Sequence, residues 1–242
     1  MPAPDEQSDV ESFERPEASF ARTLERLKRE GCSVLVCGTV AAEIRAKMTR
    51  QLFGSTEMYR RRILGHTGTT ALDPDAYLPA EPPSDRHAVV VSRAGPVRAS
   101  DTSGVVDVAR AVSEYHPSGG SGGSLDELDA LGTALAGAVD EVADRDHLSP
   151  GVLRVGVTSL EPYLDADGVE EVVRFVRTVA APVHEDGGML HVHVPLSHDD
   201  ARVRALLPYF DARIDLRVHE PLPPECRWYL PAIDEQTTWM RL

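Results

Sequence analysis

Six short apolar runs alternate with longer amphipathic stretches, and this alternation constrains the fold more than any other feature. The runs cover residues 33–37, 61–67, 87–91, 153–159, 189–194 and 212–218. The third, His87-Ala88-Val89-Val90-Val91, is short and continuously apolar, as strands covered on both faces of a parallel sheet are. Between the runs lie helical patterns over residues 40–53, 125–143, 169–183 and 199–207. In the second of these, Leu128, Leu131, Leu135 and Val139 share one face. Strands alternating with helices of this length predict an α/β fold: a three-layer α/β/α arrangement with a mainly parallel central sheet. Residues 227–230 and 237–242 are expected to pair as a C-terminal β-hairpin at the sheet edge.

A chain of 242 residues can bury one substantial core. Residues 1–14 combine acid, Pro and Ser with little apolar content, so a disordered N-terminus is expected there. Residues 15–31 read as a helix, with Phe20, Leu24 and Leu27 on one face and Gly31 as its stop. Residues 32–242 form the domain. It carries a polar, Pro-rich surface loop at 72–84, a short helix near 105–112 and a flexible Gly/Ser insert around 116–124. No apolar run reaches about 18 residues, so no membrane span is predicted, and the acidic start does not read as a signal peptide. Cys32, Cys37 and Cys226 lack metal-ligand spacing and suit reduced thiols in a cytoplasm.

Acidic residues outnumber basic ones 39 to 25, for a net charge of −14. Lysine occurs only at Lys28 and Lys47; every other basic residue is arginine. Large net charge keeps a protein in solution while straining its compact state, a lever that halophiles use. High acid content with so little lysine looks like a haloarchaeal cytoplasmic protein; an acidic protein from a GC-rich genome is the alternative. The same balance argues against broad nucleic-acid binding, which needs many cations facing phosphates.

The stretch Val34-Leu35-Val36-Cys37-Gly38-Thr39-Val40-Ala41-Ala42-Glu43-Ile44-Arg45 has the layout of a phosphate-binding loop. An apolar strand runs into a glycine, and a short loop leads to a helix. A working loop reads G-x-x-x-x-G-K-[ST]: glycines let backbone N–H groups wrap the phosphates, lysine neutralises them, and a hydroxyl holds magnesium. Counted from Gly38, the last three places hold Glu43, Ile44 and Arg45.

With the later segments added, the chain resembles the RecA/KaiC-like branch of the P-loop ATPases, and is similar to haloarchaeal proteins of that branch whose function is unknown. The residues that carry the resemblance are Val34–Gly38, Leu153–Leu160, the stretch 165–175, Gly187–Pro195 and Phe210–Arg217, together spanning roughly residues 30–220. It implies a RecA-like fold with a nucleotide pocket at Gly38, Thr39, Glu43, Ile44 and Arg45, completed by Thr158 and Ser159 on the Walker B strand. The diagnostic residues of that pocket are missing. Thr158 stands where an aspartate would hold the metal. Ile63-Leu64-Gly65-His66-Thr67-Gly68 offers no carboxylate where such ATPases place the glutamate that activates water. Phosphate neutralisation, metal and base are three separate terms of hydrolysis, and the resemblance therefore implies a pseudo-ATPase with no catalytic residue and no cofactor. ATP with magnesium in a remodelled pocket is the alternative, with Arg45 or Lys47 reaching the anion. Glu43, near a helix N-terminus, would interact with exposed amides and the dipole, worth about 0.3–1 kcal/mol, as an internal substitute for phosphate.

Other candidates have structural readings. His191 and His193 share one side of a strand; with His66, or with His198, Asp199 and Asp200, they could approach a metal, but satisfied structural histidines are the expectation, and no metal site is predicted. Arg60, Arg61 and Arg62, near Arg45, Lys47 and Arg50, form the only basic concentration. They could contact an anion, a nucleic acid or a protein partner, though a solvated face paired with carboxylates is expected. Trp228, Tyr229 and Trp239 are expected to pack the hairpin. Gly156-Val157-Thr158-Ser159-Leu160 lacks the G-x-S-x-G frame of a serine nucleophile. The functional expectation is a catalytically inactive RecA/KaiC-like domain that regulates or scaffolds through a protein partner or a homo-oligomer, without membrane or nucleic acid. A slow ATPase and a DNA-associated regulator are the alternatives.

Overall fold

All six residues of the first strand, β1 (Cys32–Cys37), are buried, because the sheet continues on both sides of it and both of its faces are covered. The computed structural model describes residues 16–68, 73–80, 88–92, 125–146, 148–164 and 168–242. Helix α1 (Pro16–Glu30) precedes β1, and α2 (Ala42–Phe53) links it to β2 (Arg61–His66). β3 (Ala88–Ser92), α3 (Leu125–Asp146), β4 (Leu153–Val157), α4 (Val169–Glu185), β5 (Met189–Val194), α5 (Ala201–Leu206) and β6 (Ala212–Arg217) follow. Three C-terminal strands complete the chain: β7 (Glu225–Leu230), β8 (Glu235–Gln236) and β9 (Met240–Arg241).

Among the described residues the strands form one 9-stranded sheet in the order β3-β2-β4-β5-β1-β6-β7-β8, with β9 also on β7. From β3 to β6 every pairing is parallel. β7 then joins β6 antiparallel, and β8 and β9 pair antiparallel with β7. The expected hairpin is thus the outer part of a three-segment antiparallel edge built onto the parallel sheet.

Side-chain alternation divides the two faces. Leu35, Ile63, Val155 and Val192 pack under α3, α4 and α5, against Leu128, Leu135, Phe175, Val179 and Leu206. Val34, Val36 and Ile214 face the other way, against Leu27 of α1 and Met48 and Leu52 of α2. Farther along that face Phe53 meets Leu64, Ala88 and Val90. Burying each such side chain is worth roughly 1.5–3 kcal/mol, so both helical layers are held by large apolar contacts. The result is a three-layer α/β/α protein with a mostly parallel open sheet.

Several boundaries differ from the sequence expectation for visible reasons. α2 starts at Ala42 rather than residue 40, because the Val40 N–H turns back to the Gly38 carbonyl at 3.0 Å. β4 ends at Val157, after which the Thr158 N–H still bonds the Gly65 carbonyl and the Ser159 hydroxyl accepts from the Glu161 N–H to start a turn. α4 continues to Glu185 because Val183 is buried in the core and the Gly188 N–H closes onto its carbonyl at 2.7 Å. The loop expected at 72–84 is not wholly superficial: within 73–80, a 3-10 turn at Pro74–Ala76 carries Leu78 into the core beside Phe53. The disordered start at 1–14, the helix near 105–112 and the insert around 116–124 lie outside the described residues. Among the described residues no helix is long and apolar enough to cross a membrane.

Candidate functional site

Open α/β sheets bind ligands outside the carboxyl ends of their strands, and the residues singled out from the sequence gather there. β1 ends at Gly38, whose N–H donates to the Leu196 carbonyl after β5 at 2.8 Å. Gly38 has φ +128. A Cβ at this position would stand 2.2 Å from the Leu216 carbonyl oxygen, so the glycine is required by the close passage of β6. Thr39 is exposed. Glu43, Ile44 and Arg45 lie in the first turn of α2, where the Ile44 and Arg45 N–H groups both donate to the Ala41 carbonyl, at 3.1 and 3.3 Å. Arg45 folds back, donating from Nη1 to the Val40 carbonyl at 2.6 Å, so its guanidinium ties up the loop itself. Glu43 is exposed in the first turn, placed to meet the helix dipole but not enclosed as an internal anion. Lys47 points away from the loop and donates to the Leu242 carbonyl at 2.7 Å.

The ends of β2 and β4 meet in a hydroxyl cluster. The Thr158 Oγ1 lies 3.3 Å from His66 Nδ1, from the Thr67 N–H and from the Thr67 hydroxyl. The Thr158 N–H donates to the Gly65 carbonyl at 3.0 Å. A hydroxyl can donate once and accept twice, so these three neighbours occupy its capacity. Ser159 accepts from the Glu161 N–H at 3.3 Å, starting the next turn. The end of β4 thus carries a threonine engaged with a histidine and a second threonine.

His191 and His193 are buried beneath α2, one on each side of the β5 backbone position that pairs with Val157. His193 Nε2 meets the Thr49 hydroxyl at 2.9 Å. Among the described residues, His193 Nδ1 and both nitrogens of His191 have no hydrogen-bond partner, so the pair is structural but not satisfied as the sequence led us to expect. His191 instead packs edge-on against Phe53 at 5.0 Å and against His193 at 5.9 Å. Gly156 makes this room: a Cβ there would stand 2.5 Å from His191 Nε2. Burial lowers both imidazoles, His193 to about 3 and His191 well below its ordinary value; Arg45 adds to the first, and His193 then Arg154 to the second. His66 lies across β4 from this pair, and the described residues hold no group of three or more His, Cys, Asp or Glu placed to bind a metal. Because two unpartnered polar atoms are costly to bury, His191→Leu is expected to raise stability at neutral pH by about 1–2 kcal/mol, read by urea unfolding.

The arginine run serves α2 more than a solvated face. Arg62 is buried and donates from Nε to the Phe53 carbonyl and from Nη2 to the Ser55 carbonyl, both at 3.2 Å. This satisfies carbonyls at a helix end. Arg61 stacks on Tyr59 at 5.2 Å.

A second polar layer was not legible as a site. Arg213 and Asp215 of β6 and Arg227 and Tyr229 of β7 share the face opposite Ile214. Asp215 is 2 % exposed and accepts from Arg213 at 2.7 Å and from Arg227 at 2.8 Å. Arg213 stacks on Tyr229, and Arg217 and Arg227 stack on Trp239 at 3.9 and 4.6 Å. Trp228 points the other way, into the core beside Cys226 and Leu230. The period-two alternation of Ala212–Arg217 was the available signal; its meaning required knowing that β7 lies antiparallel beside it. Asp215→Asn should cost about 3 kcal/mol by chemical denaturation, since it leaves two partly buried guanidinium groups without their carboxylate.

These features define an α/β protein in which the polar groups at the carboxyl edge of β1, β2 and β4 are engaged among themselves. The chain belongs to a family of unknown function, DUF7504, whose model matches residues 31–216. The match runs from the residue before β1 into β6, and α1 and the C-terminal antiparallel strands lie beyond it. No curated protein matches the chain.

Proposed function

We propose that this chain is a catalytically inactive RecA/KaiC-like domain that acts as a regulatory or scaffolding protein in a haloarchaeal cytoplasm, through contacts with another protein or with copies of itself. The observation that carries this reading is the state of the carboxyl edge. Arg45 is spent on its own loop at Val40, Thr158 is spent on His66 and Thr67, and Glu43 stands at the mouth of α2. A nucleotide would have to displace these contacts and bring its phosphates towards a carboxylate. The sheet order supports the family reading, since β1 and β4, the strands that would carry the two Walker motifs, flank a single strand, β5.

Thermal unfolding in molar KCl, with and without Mg-ATP, tests it. A ligand raises stability by RT ln(1 + [L]/Kd), about 2.7 kcal/mol at a hundred times Kd. For a chain of this size that corresponds to a Tm rise of roughly 5–10 °C. No shift is expected. A clear rise with Mg-ATP would replace this reading with the nucleotide-binding one.

A further inference from the structure

The amino edge of the sheet, opposite the site described above, carries two charge clusters of opposite sign. The basic one lies on the α2 side. Among the described residues, Arg60, just before β2, reaches only the Tyr59 carbonyl at 3.4 Å and Met58 Sδ at 3.6 Å, and its Nε is buried without a partner. Arg154, the second residue of β4, donates to the Leu153 carbonyl at 3.3 Å. Among the described residues neither has a carboxylate partner, although carboxylates outnumber cations in the chain. Burial, then the charges of Arg60 and Arg62, brings the Arg154 guanidinium down to about 10.

The acidic cluster lies on the α3 and α4 side. Asp140 and Asp144 occupy the last turns of α3, and Glu185 and Asp186 end α4. No cation pairs with these four among the described residues. Burial, then Glu185, Asp140 and Asp144, raises the Asp186 carboxyl. The two clusters flank one junction, where the Gly151 N–H donates to the Gly187 carbonyl at 2.8 Å and ties the loop before β4 to the loop before β5.

We infer that this amino edge is a self-complementary surface joining two copies of the chain, with Arg60 and Arg154 of each meeting Asp140, Asp144 and Asp186 of the other. One cluster lies on each side of the sheet plane. A two-fold axis running along the edge therefore sets basic over acidic twice, which is the isologous arrangement of a C2 dimer. Met58 and Tyr59 stand beside Arg60 at 54 % and 53 % exposure, and Tyr, Met and Arg are the side chains enriched in interfaces. Long-range repulsion between two chains of −14 is screened in molar salt, where the Debye length is about 3 Å, while pairs closed off from solvent are screened far less. The surface supplies a partner for the scaffolding role proposed above and rests on that reading only for its biological use.

Light scattering of the full chain in molar KCl, across micromolar to millimolar concentrations, tests the surface. The wild type is expected to be a dimer. Arg60→Glu and Asp186→Arg should each weaken dimerisation by roughly a hundredfold or more, as like charges are brought together, with circular dichroism confirming that both variants fold. An equimolar mixture of the two should recover a dimer, because the reversed positions face each other at one contact and the native pair remains at the other. A monomeric wild type, single variants that dimerise like wild type, or a mixture no better than its components would each overturn the proposal. The outcome is separable from the nucleotide test: a Tm rise with Mg-ATP in an intact dimer removes only the inactive-pocket reading, and a monomer indifferent to Mg-ATP removes only the edge contact.

Discussion

Gly38→Ala is expected to destabilise the protein by about 3–5 kcal/mol, enough to leave much of it unfolded. Two costs combine. The backbone at φ +128 is strained for any residue with a side chain, at about 1–3 kcal/mol. The new methyl group would also meet the Leu216 carbonyl oxygen at 2.2 Å, and overpacking of this kind adds about 1–3 kcal/mol. Since the obstacle is backbone in β6, a neighbour in the parallel ladder of β1, no side-chain rotation relieves it. Urea unfolding in molar KCl reads the loss. An unchanged midpoint would mean that the β1–β6 junction is looser than described. If Gly38 served phosphate binding alone, its replacement would leave stability almost untouched, so the same variant separates a structural glycine from a catalytic one.

Acidification should weaken the fold steeply through His191 and His193. Both imidazoles are neutral in the folded protein, whereas the unfolded chain takes up their protons below about pH 6.5. The unfolded state therefore binds more protons, and stability falls as pH drops through that value. Each histidine contributes about 1.4 kcal/mol per pH unit, so the pair gives about 2.7 kcal/mol per unit. The loss from His193 continues down to its folded value of about 3. Against this, the contribution is fully present above pH 6.5. Urea midpoints measured from pH 7 to pH 5 in the wild type and in His191→Leu should show the slope roughly halved in the variant. Equal slopes would mean that other groups govern the acid transition.

The parallel core was readable because continuous apolar runs such as Ala88-Val89-Val90-Val91 have few other homes than a covered strand. The helix-strand alternation around them is equally restrictive. That Glu43, Ile44, Arg45 and Thr158 depart from a phosphate-loop pattern was readable too, since such a departure shows in one dimension. What those residues do instead was not. Arg45 bonding to Val40, and Thr158 serving as the hub for His66 and Thr67, depend on loop paths and on β2 lying beside β4. Arg60–Arg62 looked alike in sequence, yet Arg62 is buried against the end of α2 while Arg60, on the same side two residues earlier, remains at the edge, because β2 begins only at Arg61. The Arg213–Asp215–Arg227 layer needed the antiparallel register of β6 and β7, which no local pattern announces.

The position of β1 has a consequence for synthesis. Its two hydrogen-bonding neighbours, β5 and β6, begin at Met189 and Ala212, whereas β1 itself emerges near the start of the chain. At about 5–20 residues per second, a ribosome needs about 10–30 s to deliver the first of those partners. During that interval this fully buried strand has neither ladder, and such strands recruit other chains. The order of the sheet thus makes the nascent chain, rather than the finished protein, the stage most exposed to aggregation, and assigns the closing step of folding to the last third of the sequence.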